Sequence, residues 1–288
     1  MILGYYTNKV FLGGLPLKDS LYVEFGVCRL AYDVSGKGPL VICVPGMGDL
    51  RSEYRFIAPR LADAGYQVVT MDVRGHGDTS AYWDDYSVAG VGSDILALIR
   101  DMESGPAVII GASMAAGAAV WAAYESPDLV HGMVLIGPAV RGEVKGIYRL
   151  LMGALFMRPW GPAAWRTYYS RLFPRYKPED FESHAAAIEA NLKEPGRMRA
   201  LRRMILASKK ASENRLSQVR TPALVLMGSL DSDFSDAAAE ADRVAGALRG
   251  ESHLIADSGH YPHIDKIDDV VPLVLPFLER LTEQGAVA

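Results

Sequence analysis

Two cysteines in 288 residues leave little room for disulfide chemistry. Cys28 and Cys43 stand far apart, outside any C-x-x-C spacing, which excludes a disulfide scaffold and a cysteine-built metal site. Two thiols in strand-like segments fit a reducing compartment. The six histidines show no ligand spacing either, since the closest pair, His260 and His263, flanks a proline. No metal and no cofactor are therefore expected. No apolar run reaches the roughly 18 residues that cross a bilayer. Charge of neither sign dominates. The formal net charge of −4 gives no reason to expect a nucleic-acid partner. The first twenty residues, MILGYYTNKVFLGGLPLKDS, place no basic start ahead of an apolar stretch and do not read as a signal peptide. A cytoplasmic location is the resulting expectation, and nothing here bears on oligomeric state.

What is present is an alternation of buried-strand and helix patterns. Segments 20–27 and 29–36 alternate apolar and polar residues, which predicts a strand pair turning at Gly26. Continuous apolar runs at 39–46, 66–75, 107–113, 131–140, 222–231 and 251–260 read as strands, most of them covered on both faces. Helical stretches fall between them, at 53–64, 87–102, 114–126, 236–248 and about 268–284. This predicts an α/β fold, a mostly parallel doubly wound sheet with helices on both faces. Residues 141–215 break the pattern, with helix-like segments, prolines and arginines but no buried strand. The expected organisation is a core of 1–140 and 216–288 with a helical cap inserted at 141–215. That insertion carries a net +9 and the rest −13, so its arginines are expected to pair with acidic core residues. The run at 150–165, LLMGALFMRPWGPAAW, is expected to pack over an apolar pocket rather than to touch a membrane.

In such a sheet the carboxyl ends of the strands share one rim, where ligands bind. They deliver Pro45-Gly46-Met47-Gly48, then Ser113, then Gly228-Ser229-Leu230-Asp231, then Asp257-Ser258-Gly259-His260. A nucleophile, an acid and a base thus arrive in chain order. A lone serine is inert at neutral pH. It needs an imidazole to take its proton and a carboxylate to orient the ring.

The chain resembles the α/β-hydrolase superfamily, in the group with a helical cap. The resemblance covers about 20–140 and 215–285. PGMG (45–48) resembles the oxyanion loop, DVRGHGDT (72–79) the D-x-R-G-x-G-x-S/T turn, and GASMA (111–115) the nucleophile elbow. GSLD (228–231) and GHYPHID (259–265) resemble the acid turn and the histidine loop. The resemblance implies Ser113 as nucleophile, His260 as base and Asp231 as orienting acid, with the amides of Met47 and Met114 forming the oxyanion hole. Asp233 lies on the same turn and could replace Asp231, although the G-x-x-D spacing favours Asp231. Asp257 reads as a turn former, Arg74 and His76 as parts of a structural turn, and His263 as a surface or cap-contact residue. Two positions depart from the family pattern. Ala115 stands where the elbow usually has glycine, and Pro45 stands where the early loop often has histidine.

The implied activity is hydrolysis of an acyl bond, ester or lactone, in a mainly apolar small molecule, through an acyl-enzyme. A binding protein or non-hydrolytic catalyst on the same fold, and an acyltransferase, are the alternatives. A serine at the elbow argues against the family's aspartate-based dehalogenases and epoxide hydrolases. The sequence does not identify the substrate.

Overall fold

A computed structural model describes residues 20–285. The N-terminal stretch discussed above lies outside them, apart from Ser20. Eight strands form one sheet: β1 (Leu21–Phe25), β2 (Cys28–Ser35), β3 (Leu40–Val44), β4 (Gln67–Met71), β5 (Ala107–Ala112), β6 (Val130–Ile136), β7 (Ala223–Gly228) and β8 (Glu251–Ile255). The spatial order is β1-β2-β4-β3-β5-β6-β7-β8. β1, β2 and β4 pair antiparallel and the rest pair parallel. The apolar runs explain the centre: every residue of β3, β5 and β7 is buried. β8 is one of the two edge strands, with Leu254 exposed.

The helices are α1 (Ile57–Asp63), α2 (Val88–Met102), α3 (Met114–Glu125), α4 (Gly146–Leu155), α5 (Gly161–Arg171), α6 (Phe181–Lys193), α7 (Arg197–Ile205), α8 (Lys210–Glu213), α9 (Ala237–Leu248), α10 (Pro262–Asp265) and α11 (Ile267–Gly285). α2, α3 and α9 bury their apolar stripes on one face of the sheet. α1 and α11 cover the other, where residues of α5, α6 and α7 join the same apolar cluster. The expected helix at 53–64 is two pieces, a 3-10 turn at Arg51–Tyr54 and then α1. Tyr54 is the reason: its buried hydroxyl donates to the carbonyls of Val44 (2.8 Å) and Ile110 (3.0 Å), fixing this turn beneath the ends of β3 and β5.

α4 through α8 all lie between β6 and β7. Basic side chains from this stretch reach core acceptors. Arg215 pairs with Glu125 (2.7 Å), Arg141 with Glu240 (2.6 Å), and Arg203 donates to the Asp84 carbonyl (2.6 Å). Arg197 donates to the Thr79 carbonyl. In the reverse direction the core Arg55 grips Asp180 with two hydrogen bonds, at 2.5 and 2.7 Å. The positive insertion and negative core are thus tied by named contacts.

Chain direction reverses its drift between β3 and β5. β4 lies to one side of β3, while β5 to β8 continue on the other. A crevice outside the carboxyl ends is forced at such a point, because the connections leave toward opposite edges. Gly46, Met47 and Ser113 stand there.

Candidate active site

Ser113 sits between β5 and α3 with φ 52° and ψ −118°. A non-glycine residue held there is strained by about 1–3 kcal/mol, and the surroundings must over-determine it. They do. Its amide donates to the Ile136 carbonyl (2.8 Å), and its carbonyl accepts from the amides of Ala116 and Ala139 (both 3.1 Å). A Cβ at Gly111 would lie 2.7 Å from the Ala115 carbonyl oxygen, so the strand can meet the returning helix only through glycine. Ala115 fits at the second small position and is fully buried.

His260 and Asp231 meet across two strand ends. Nδ1 of His260 lies 2.7 Å from Oδ2 of Asp231, and both side chains are buried. The other Asp231 oxygen accepts from the Asp233 amide (3.0 Å), which locks the acid turn. Asp265 caps the histidine loop, taking bonds from the Ser258 hydroxyl (2.6 Å) and the Gly259 amide (2.9 Å). The His260 amide donates to the Leu172 carbonyl (2.9 Å), beside α5. Asp233 stands on the other side of the ring, 4.0 Å from Nε2, and accepts the Tyr168 hydroxyl (2.6 Å). Burial alone would lower the His260 pKa. The charge and hydrogen bond of Asp231 outweigh it, with Asp233 adding, and raise it to about 9. Nε2 is buried without a hydrogen-bond partner.

A cavity of about 670 Å³ opens over this group. Ser113, His260 and Met47 line it together with Met152, Phe156, Trp165 and Ile205 from the inserted helices. Tyr168, Asp233 and Lys209 give it one polar wall. A larger cavity, about 910 Å³, lies around Arg51. Size does not make it the better candidate, because Arg51 already pairs with Asp33, Asp72 and Asp78, away from Ser113 and His260. Met114 opens α3, so its amide has no partner within the helix.

Two buried carboxylates that the sequence analysis did not single out hold the loop that carries Met47. Glu53 accepts from the Gly46 amide (2.9 Å), and its other oxygen lies 3.1 Å from Nε2 of His263. Asp49 lies 2.8 Å from Nε2 of His184, which ties α6 to the same loop. Burial drives the Glu53 carboxyl well above its usual range, with the Asp49 charge adding, and drives His263 down to about 3. The low pKa keeps the His263 ring uncharged, and Glu53 and His263 share one hydrogen bond in this buried pocket. His263 is therefore not the expected surface or cap-contact residue. α10 turns inward and packs it against Tyr54, the rings tilted and their centroids 5.1 Å apart. No local signal marks this pair, since Glu53 sits in the charged stretch RSEYR (51–55) and its partner lies 210 residues away.

Arg74 and His76 serve the structural turn. Arg74 forks onto buried Asp94 (2.7 and 2.6 Å), and Nε2 of His76 accepts from the Gly48 amide (3.2 Å). Asp257 takes φ 58°, as a turn former does. Cys43 is buried in β3, whereas Cys28 is only half-buried. Donor atoms of Asp231, Asp233 and His260 lie within 4.8 Å of one another, a span that a divalent cation could bridge. The Asp231–His260 hydrogen bond already occupies one atom of each.

Residues 41–273 match the Alpha/beta hydrolase family, and the chain belongs to it. An uncharacterized protein of Mycobacterium tuberculosis is 29% identical over 123 residues, 42% of this chain and 36% of that protein. The match thus spans little more than a third of that relative. Among solved structures, a bromoperoxidase from Bacillus anthracis superposes with a TM-score of 0.78 at 19% identity, covering 91% of this chain and all of that one. A thermophilic esterase from Thermogutta terrifontis gives 0.76 at 20% identity, covering 92% and 99%. At such identities the likeness is one of fold. Among the described residues no helix is long and apolar enough to cross a membrane.

Proposed function

We propose that this protein is a serine hydrolase acting on an ester or lactone of a mainly apolar small molecule. The observation that carries the reading is the buried 2.7 Å Asp231–His260 pair, set beside a strained Ser113 in one apolar-walled cavity. Ser113 attacks the acyl carbon while His260 takes its proton. The oxyanion that forms is held by the amides of Met47 and Met114. His260 then protonates the leaving alcohol, and a water activated by the same ring frees the acyl group. Asp231 orients the ring through Nδ1 and offsets its charge. The Oγ–Nε2 hydrogen bond is not formed here, and such bonds commonly tighten only with substrate bound. Residues 141–215 serve as a cap, since their helices supply most of the apolar wall. The esterase likeness agrees with this reading. The bromoperoxidase likeness favours a second acceptor, a peroxide in place of water, at the same acyl-enzyme.

The two aspartates separate experimentally. Asp231→Asn is expected to lower kcat on the order of 10⁴-fold, as losing a triad's orienting acid does. Asp233→Asn is expected to keep kcat within about tenfold, because Asp233 touches no reacting atom. A larger loss in Asp233→Asn than in Asp231→Asn would move the acid to Asp233.

The pH profile follows from the same ring. The base works only when neutral, so kcat/KM should rise with pH toward about 9. Asp233→Asn removes a charge that favours the imidazolium and should move this limb to lower pH. The stability sign is opposite. A pKa raised in the folded state stabilises fully below about 6.5, the unfolded value, and that contribution fades as pH passes about 9. Matched kcat/KM and thermal-melt series from pH 6 to about 10 check both, and a limb unmoved in Asp233→Asn would refute the assignment.

A further inference from the structure

The expectation that 150–165 packs over the pocket is met on one side only. Met152, Phe156 and Trp165 line the cavity. Ile147, Tyr148, Leu150, Leu151 and Leu155 of α4 are 48–70% exposed, and Met157 and Trp160 beyond it are 41% and 53% exposed. At 100° per residue the five on α4 share one stripe, about 160° wide, with Met152 and Gly153 on the opposite side. Seven large exposed apolar side chains within fourteen residues form a patch of the kind that monomeric proteins seldom leave bare.

Its charge says what covers it. Between Glu143 and Glu179 the chain has seven basic residues and no acidic one. Lys145, Arg149 and Arg158, beside the patch, are exposed. Glu143, just before it, is occupied by Lys145 and Lys210. A second copy docked by the same face would set these cations against their own counterparts. An apolar stripe edged with cations matches a bilayer surface, where acyl chains lie beneath anionic headgroups.

We infer that the outer face of α4 docks on an anionic lipid surface. That docking puts the cavity one helix diameter, about 10 Å, from the acyl-chain region. If the hydrolase reading holds, the docking sets the cavity that Met152 and Phe156 line close to the bilayer that holds a lipophilic ester. The substrate class is then a membrane-partitioned ester.

The experiment is co-sedimentation of the full chain with vesicles of phosphatidylcholine, alone or with about one third phosphatidylglycerol. Binding to the anionic vesicles is expected to exceed that to the neutral ones by about tenfold or more and to weaken as salt rises from about 0.05 to 0.5 M. The double variant Leu150→Glu, Leu151→Glu is expected to lose about tenfold or more of that binding. It should keep its rate on a water-soluble short-chain ester, because neither leucine lines the cavity. Equal binding to both vesicles, or to neither, overturns the inference. So does a solution dimer that the double variant dissociates, or binding that appears only after residues 1–19 are removed. Ser113→Ala should bind vesicles like the parent. Failure of the hydrolase reading therefore leaves the docking readable, and absent docking with intact ester hydrolysis sinks the docking alone.

Discussion

Ser113→Ala is expected to lower ester hydrolysis about 10⁶-fold, the scale on which removing a triad serine removes turnover. The fold should survive. The elbow is held by main-chain hydrogen bonds of Ser113, at 2.8–3.1 Å, which alanine retains. Alanine also carries the same Cβ through the same strained φ. The melting temperature is therefore expected to stay within about 2–4 °C, the equivalent of about 1 kcal/mol in a domain of this size. A fluorophosphonate probe should add once to the parent, at Ser113, and not to the variant. His260→Ala should suppress the labelling, because a serine without its base is a poor nucleophile. Turnover in Ser113→Ala within tenfold of the parent, or labelling on another serine, would place the chemistry elsewhere.

Glu53→Ala is expected to do more damage to the protein than Ser113→Ala and less to catalysis. It leaves the Gly46 amide and the His263 ring buried without their partner. One orphaned group costs about 1–3 kcal/mol, so the pair costs about 2–6. At about 2–4 °C per kcal/mol the melting temperature should fall by roughly 4–24 °C. The Gly46–Met47 segment would also lose its anchor. Because an oxyanion donor acts in the transition state, kcat should fall by about 10² or more while KM changes little. Glu53→Gln supplies the control. Its amide oxygen can accept from Gly46 and its NH₂ can donate to the uncharged His263 ring, so both stability and kcat should return to near the parent. Normal kcat in a folded Glu53→Ala protein would show that Gly46 and Met47 hold their place without this contact. Failure of Glu53→Gln would show that the native carboxyl is ionised.

The sheet was legible in the sequence because strands covered on both faces must be continuously apolar, as β3, β5 and β7 are. The elbow was legible because sterics at a tight strand-to-helix turn admit few residues, and Gly111 and Ala115 are small for that reason. Spacing alone left Asp231 and Asp233 competing, since two residues on one turn differ only in where the turn points them. Tertiary packing put Asp231 on Nδ1 at 2.7 Å and left Asp233 on the Nε2 side at 4.0 Å. The roles of Glu53, Asp49, His184 and His263 were hidden for a related reason. Their partners lie 7 to 210 residues away, and burial, not local pattern, sets their charge. The 150–165 run was ambiguous because apolar side chains read alike whether they point in or out. The sequence determined the alternating elements, the rim that carries Ser113, Asp231 and His260, and the charge split between insertion and core. Only the folded chain decided which carboxylate meets the imidazole, which polar groups lie in the dark, and which side of α4 remains exposed. Those depend on distances between residues remote in sequence, which no local period encodes.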